Sequence, residues 1–148
     1  MTNLAAAEEK DLGNAAYAAK DYDEAIKHYT SAIVRDSKNH VYFSNRSASY
    51  AAKADWKSSA NDAKECIKLD PSYIKGYYRL AIAQSGQEEF EAALKTTETG
   101  LAEGRYDREQ KRQMLQLKAS LLDKIMEKSK LKGCLDCRVI LYCSQECQ

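Results

Sequence analysis

Apolar positions between residues 6 and 107 recur at helical spacing in short stretches, and a few polar residues separate each stretch from the next. Apolar residues three and four positions apart form one face of an α-helix. This pattern predicts six helices arranged as three consecutive pairs. In the first pair, the predicted apolar faces are Leu12, Ala15, Ala16 and Ala19 in one helix and Ala25, Ile26, Tyr29, Ala32 and Ile33 in the other.

The three helix pairs are copies of one unit that repeats every 34 residues. An acidic residue followed by an aromatic residue recurs as Asp21-Tyr22, Asp55-Trp56 and Glu89-Phe90. Small residues recur in three sets, which are Gly13, Ser47 and Ala81, then Ala25, Ser59 and Ala93, then Ala32, Cys66 and Gly100. Such a helix pair cannot bury its apolar face alone, so neighbouring units are expected to stack. The units span about 6–39, 40–73 and 74–107.

A seventh helix is predicted over about 107–130, and it would cap the last unit. A stacked array needs such a helix because its final repeat otherwise exposes an apolar surface. Its predicted apolar face comprises Met114, Leu115, Leu117, Leu121, Leu122, Ile125 and Met126. The sequence therefore predicts a helical domain over 1–130 and a separate Cys-rich tail over 131–148.

A period of 34 with these small and aromatic positions resembles the tetratricopeptide repeat (TPR). The resemblance implies an all-α fold of three TPR helix-turn-helix repeats plus a C-terminal capping helix, in a right-handed superhelical array. It also implies that the first helix of each repeat lines a concave face.

Composition and charge argue against nucleic-acid binding, membrane insertion and secretion. The net charge of +1 gives no strong global attraction to nucleic acid. No stretch is long and apolar enough to predict a membrane span, and the N-terminal residues do not resemble a secretory signal. These features, with four of the five Cys clustered near the C-terminus, favour a reducing, cytoplasmic location.

Five hydrogen-bond donors are predicted to share the inner face of the array. Lys10 and Asn14 lie four residues apart on the first helix of unit one, so they share a face. Asn45 and Arg79 lie 34 residues apart and occupy the same repeat position, and Lys75 precedes Arg79 by four residues. Cations supply charge and amides supply orientation, which suits a carboxylate-rich peptide.

The segments Lys-Asp-Leu-Gly-Asn, Ser-Asn-Arg-Ser and Lys-Gly-Tyr-Tyr-Arg resemble the carboxylate-clamp class of TPR domains, found in co-chaperones of the heat-shock-organising type. The clamp positions correspond to Lys10, Asn14, Asn45, Lys75 and Arg79. The resemblance implies an adaptor that binds the C-terminal Glu-Glu-Val-Asp tail of heat-shock protein 70 or 90. The alternative is a scaffold for another acidic peptide or an unrelated protein partner, which would not require a free terminal carboxylate.

Structural roles compete with these assignments. A Lys on a helix is usually solvated, and Asn14 or Asn45 could instead bond to a neighbouring helix. Arg46 is expected to pack its stem between repeats. Tyr17, Tyr42, Tyr77 and Tyr78 are expected to pack in the core, although one of them could line the groove.

Catalysis is not predicted. His28 and His40 are the only His residues and fall on separate predicted helices, and no phosphate-binding Gly-rich loop or nucleophile motif occurs. The TPR domain is accordingly expected to need no cofactor.

The tail has the zinc-like spacing Cys134-x2-Cys137-x5-Cys143-x3-Cys147. The segment Tyr-Cys-Ser-Gln-Glu-Cys-Gln resembles the MYND zinc finger. The upstream Cys pair and the downstream His and Cys of that family are missing. Two alternatives stay open, namely one zinc ion shared by the four Cys, and a remnant of a longer finger. Cys66 stands at a small-residue position and is expected to pack in the core.

Overall fold

The computed structural model describes the backbone of residues 4–139 and the side chains of residues 4–131. This part of the chain forms seven α-helices and no named strand, which confirms the all-α prediction. The helices are α1 Leu4–Ala18, α2 Tyr22–Arg35, α3 His40–Ala52, α4 Trp56–Leu69, α5 Ile74–Gly86, α6 Phe90–Glu103 and α7 Arg108–Val139. Among the described residues, no helix has the length and apolar character that a membrane crossing requires.

Consecutive helices pack against one another along the whole array, and α3 also contacts both α1 and α5. The first helices of the three pairs, α1, α3 and α5, are therefore neighbours in that order. This arrangement brings residues 34 positions apart onto adjacent helices.

The recurring acid-aromatic pair marks the start of the second helix in each unit. Asp21 and Asp55 are N-cap residues, and their side chains accept hydrogen bonds from the backbone N–H groups of Glu24 and Ser58. A short acidic side chain at this position satisfies an amide that has no partner inside the helix. Hydrogen bonds from Ser58 also hold the pKa of Asp55 below its ordinary value. Glu89 occupies the third N-cap position without a side-chain cap bond.

The turns within each pair depend on residues in the left-handed region. Lys20, Ala54 and Glu88, spaced 34 residues apart, have φ values of 63°, 58° and 62°. In unit one, Lys20 directly precedes the capping residue Asp21, so the turn leads straight into α2. Gly86 ends α5, two residues before the turn at Glu88. A Cβ at Gly86 would lie 2.2 Å from Cδ2 of Trp56, so this glycine permits close packing against the indole ring.

The recurring small residues form the contacts between helices, as predicted. All nine positions in the three sets are buried. Seven of them are 0% exposed, namely Ala25, Ala32, Ser47, Ser59, Cys66, Ala81 and Ala93. The other two are the buried glycines Gly13 and Gly100. Burial raises the pKa of the Cys66 thiol to about 12. Cys66 is therefore a packing residue, as expected.

The predicted apolar face of α1 is wrong. Ala15 is exposed, Ala16 is half-buried, and Ala19 is exposed and lies beyond the end of α1. Leu12 is 53% exposed, and the buried residues of α1 are Ala6 and Gly13. The ring of Tyr29 from α2 fills the space beside Gly13, where a Cβ would lie 2.6 Å from Cε1. The packing face of α1 is thus determined by Gly13, whose missing side chain leaves room for the Tyr29 ring. A pattern of apolar side chains does not predict such a position.

The capping helix is longer than predicted and only partly covered. It continues past Lys130 to Val139. Met114 and Leu121 are buried against α5 and α6, whereas Leu115, Leu122 and Met126 are exposed. The seven apolar residues span a sector wider than the contact with α5 and α6, so the prediction of burial is wrong for three of the seven.

Candidate functional site

Two adjoining cavities lie along the first helices of the repeats, and Arg79 lines both. The first has a volume of about 210 Å³ and is lined by Asn14, Tyr17, Tyr29, Asn45, Ala48 and Arg79. The second has a volume of about 180 Å³ and is lined by Ile74, Lys75, Tyr78, Arg79, Gln110, Gln113 and Met114. Four of the five predicted clamp residues, Asn14, Asn45, Lys75 and Arg79, therefore line two cavities that meet at Arg79, and we call these two cavities together the inner groove.

Asn14 and Asn45 are held in place by bonds between helices. The hydroxyl of Tyr29 donates to Oδ1 of Asn14 at 2.8 Å, and Nδ2 of Asn45 donates to the same oxygen at 3.2 Å. The expected structural role, a bond to a neighbouring helix, is thus present for both Asn residues. Because Oδ1 of Asn14 accepts both bonds, its Nδ2 group has no partner among the described residues and stays available as a donor.

Arg79 carries a positive charge into the groove without an acidic partner among the described residues. Its Nε is buried and lacks a hydrogen-bond partner there. Its guanidinium carbon lies 5.8 Å from the centre of the Tyr78 ring, which supports the side chain from one side. A buried donor without a partner costs stability, so an anionic ligand that accepts from Nε would relieve this cost.

Lys75 and Lys10 differ in their surroundings. Lys75 is exposed at the edge of the second cavity, one helical turn before Arg79. Lys10 lines neither cavity, and its Nζ lies 3.1 Å from Oδ1 of Asp11. Lys10 is half-buried and Asp11 is exposed, and a pair with an exposed partner contributes little free energy. A ligand carboxylate could therefore compete for Lys10 at small cost.

Burial is the main influence on the pKa of Tyr29, which lines the inner groove beside Asn14. It raises the pKa of Tyr29 to about 12, while the charge of Arg79 acts in the opposite direction. The Tyr29 hydroxyl therefore stays protonated at neutral pH and remains a donor to Asn14.

Several groove residues were not identified from the sequence. Tyr17 and Tyr78 were expected to pack, yet both line cavities, whereas Tyr42 and Tyr77 are buried as expected. Gln110 and Gln113 come from the first turns of α7. Their spacing of three residues, which puts both on one face of the predicted capping helix, is the sequence signal that could have revealed them.

Arg46 has a structural role, as expected, but through its charge as well as its stem. Its Nε and Nη2 donate to the two carboxylate oxygens of Asp62 at 2.7 and 2.8 Å, and Nη1 donates to Oγ1 of Thr30 at 3.0 Å. The hydrogen bond with Asp62 raises the pKa of Arg46. These contacts join α2, α3 and α4 and take Arg46 out of the inner groove.

The predicted zinc ligands fall outside the residues whose side chains are described. Cys143 and Cys147 lie beyond residue 139, and Cys134 and Cys137 lie beyond residue 131. The zinc site stays a prediction.

Comparisons with known proteins find relatives of part of this chain. Heat shock protein STI1 of Saccharomyces cerevisiae is 48% identical over 92 residues, which cover 62% of this chain and 16% of that protein. This chain thus spans about a sixth of the length of that relative. A scan against protein-family models finds no match.

Solved structures match a larger share of the chain. The Sgt2 TPR domain from Aspergillus fumigatus superposes with a TM-score of 0.75 at 30% identity, covering 84% of this chain and 82% of that domain. The second TPR domain of human RPAP3, in complex with the HSP70 peptide SGPTIEEVD, gives a TM-score of 0.72 at 26% identity, covering 80% and 95%. The helix order, the repeat period and the coverage of the Sgt2 domain lead to one assignment, namely that this chain belongs to the TPR domain family.

Proposed function

We propose that this chain is a co-chaperone adaptor module whose inner groove binds the C-terminal Glu-Glu-Val-Asp tail of heat-shock protein 70 or 90. The observation that carries the proposal is the convergence of Asn14, Asn45 and Arg79 on one cavity, with Arg79 lacking an acidic partner among the described residues. The likeness to a TPR domain in complex with the HSP70 peptide SGPTIEEVD supports it.

The chemistry of the tail matches the donors of the groove. A C-terminal Asp carries two carboxylates on one residue, the side-chain group and the chain terminus. Arg79 and Lys75 supply charge, Lys10 adds charge once it leaves Asp11, and the amides of Asn14 and Asn45 supply directed donors. A groove that places two amides and several cations close together favours closely spaced carboxylates over a single charge.

The two His residues lie outside the inner groove, which fits a groove that binds a ligand without catalysis. Neither His28 nor His40 lines the inner groove. Nδ1 of His28 lies 2.8 Å from Oε2 of Glu9, and Nε2 of His40 lies 3.7 Å from Oδ2 of Asp70. The proposed action is tethering, in which this module docks on the chaperone and brings an attached partner with it. A cytoplasmic location stays a prediction.

Substitution of the groove cations tests this proposal. A charge-assisted hydrogen bond contributes roughly 1.5–3 kcal/mol, so Arg79→Ala or Lys75→Ala should weaken binding of a Met-Glu-Glu-Val-Asp peptide by roughly ten- to a hundredfold. Lys64→Ala is the matched control, because Lys64 is an exposed helical lysine outside the inner groove. Isothermal titration measures the affinity and circular dichroism checks the helices. Unchanged affinity in both groove variants would rule out the proposed carboxylate clamp.

A further inference from the structure

An exposed apolar stripe runs along one side of α7. Leu115, Leu122 and Met126 are 47%, 41% and 56% exposed, and Ala119 between them is also exposed. We call these four residues the α7 stripe. Isolated apolar residues on a surface are ordinary, whereas a contiguous row marks an interaction site.

The spacing of the α7 stripe fits a helical partner. Its members follow one another at intervals of four, three and four residues. This is the seam along which two helices pack side by side, with each side chain inserted between those of the partner. The stripe extends over about 17 Å, since a helix rises about 1.5 Å per residue.

The α7 stripe faces away from the inner groove. Gln113 and Leu115 are two positions apart, which separates them by about 200° around the helix. Gln113 lines the groove, and Leu115 lines a different, shallow cavity of about 460 Å³. A ligand in the inner groove therefore leaves the α7 stripe accessible.

The surroundings of the α7 stripe define the charge of the partner. Its N-terminal end is bordered by Arg108, Lys111 and Arg112, which line the shallow cavity together with Leu115 and Ala119. Arg112 pairs with Glu109 at 2.8 Å, and the ammonium group of Lys111 lies 5.8 Å from the ring centre of Tyr106. Among the described residues, Arg108 has no carboxylate partner. Basic residues also outnumber acidic residues in the second half of α7 up to Lys130, so a second copy of this helix would be repelled.

We propose that the α7 stripe is a second docking surface, which binds an acidic amphipathic helix of a partner protein. The apolar side chains of that helix would pack against Leu115, Ala119, Leu122 and Met126, and its acidic residues would lie near Arg108 and Arg112. This surface would give an adaptor its second attachment point, on the side of α7 opposite the inner groove.

A designed helix tests both parts of this proposal. The probe is a synthetic peptide of about three heptads, with Leu along one seam and Glu on both flanks, and a matched peptide carries Lys in place of Glu. The full chain should bind the Glu peptide at least tenfold more tightly than the Lys peptide. Leu122→Ser with Met126→Ser, and separately Arg108→Glu with Arg112→Glu, should each weaken binding of the Glu peptide at least tenfold.

Matched variants separate this surface from the rest of the molecule. Lys64→Glu with Lys95→Glu makes the same change of charge elsewhere on the surface and should leave binding of the Glu peptide unchanged. All variants should keep the parent's helical circular dichroism and its affinity for the Met-Glu-Glu-Val-Asp peptide.

Four outcomes would overturn the second docking surface. They are no binding of the Glu peptide, equal binding of both peptides, binding that survives the Leu122 and Met126 substitutions, and preferential binding to phosphatidylserine vesicles over the Glu peptide. Sedimentation of the parent chain as a dimer, reversed by the same substitutions, would assign the α7 stripe to self-association and would also overturn the proposal.

Discussion

The hydroxyl of Tyr29, at the centre of α2, donates a hydrogen bond to Oδ1 of Asn14 on α1 at a distance of 2.8 Å. Tyr29 is 2% exposed, so its ring is fixed by the packing around it, including the bare backbone of Gly13. The bond sets which end of the Asn14 amide faces the inner groove. Tyr29 therefore acts as a positioning residue for a donor of the proposed clamp.

Tyr29→Phe should weaken the binding of a Glu-Glu-Val-Asp peptide roughly three- to tenfold, since a hydrogen bond of this kind contributes about 0.5–1.5 kcal/mol. Removing the hydroxyl lets the Asn14 amide rotate, which lowers the fraction of molecules that present Nδ2 to the ligand. Isothermal titration measures the effect.

Tyr77→Phe is the matched control for this experiment. Tyr77 is also buried, and its hydroxyl donates to the backbone oxygen of Pro71 at 2.8 Å, outside the inner groove. The two variants should lose similar stability, but only Tyr29→Phe should lose affinity. Combining Tyr29→Phe with Asn14→Ala should cost no more affinity than Asn14→Ala alone, and strictly additive losses would contradict the positioning role.

The contact between Arg46 and Asp62 should contribute to stability and not to binding. Removing one partner of a buried pair costs about 3 kcal/mol, because the other charge is left without compensation. Arg46→Met and Asp62→Leu should each lower the free energy of unfolding by about that amount, and the double variant should lose less than the sum. Urea denaturation measures all three variants.

The exposed pair of Lys68 and Glu65 provides the comparison for this cycle. Lys68→Ala should change stability by less than about 1 kcal/mol. Arg46 lies outside the inner groove, so a loss of peptide affinity in a folded Arg46→Met variant would show that its role extends beyond stability.

Glycine should stabilise the turn between α3 and α4. Ala54 has a φ of 58°, a conformation that costs a residue with a Cβ about 1–2 kcal/mol. Ala54→Gly removes this strain and adds some backbone entropy in the unfolded chain, so the net gain should be about 0.5–1 kcal/mol. The same substitution inside α3, Ala51→Gly, should instead lose about 1 kcal/mol. Thermal melts of both variants should shift in opposite directions.

Stability should fall at alkaline pH because of two buried acids. Burial raises the pKa of Cys66 from 9.0 to about 12 and that of Tyr29 from 10.0 to about 12. Between pH 9 and 12 the unfolded chain loses these protons while the folded chain retains them, so unfolding becomes more favourable as the pH rises. The melting temperature should fall above about pH 9. The fall between pH 9 and 10 should be shallower in Cys66→Ala, and an equally steep fall would rule out the thiol as a cause.

The repeat could be predicted from sequence because its signals are local and occur three times. The small residues at 34-residue intervals are buried, and the acidic residues before Tyr22 and Trp56 cap the helices. The shared positions of Asn45 and Arg79 follow from the same period, and both residues line one cavity.

Other features depend on partners that only the folded chain brings together. From the sequence alone, Asp62 would be predicted to lie on the surface, yet it is 7% exposed because Arg46 packs against it. The left-handed turns at Lys20, Ala54 and Glu88 carry no glycine signal. In each turn, the N–H of the following residue donates to a backbone carbonyl five positions earlier in the preceding helix. The apolar residues of α7 predict a helix but not which of them α5 and α6 cover.

The terminal carboxylate of the ligand provides the most direct test of the proposed function. The full chain is titrated at physiological salt with a peptide that ends in Met-Glu-Glu-Val-Asp, and with the same peptide amidated at its C-terminus. The clamp predicts micromolar binding of the free acid and a loss of at least tenfold on amidation, because one of the two carboxylates of the last residue is gone. Equal binding of the two peptides would contradict the clamp and would identify the inner groove as a site for acidic peptides in general.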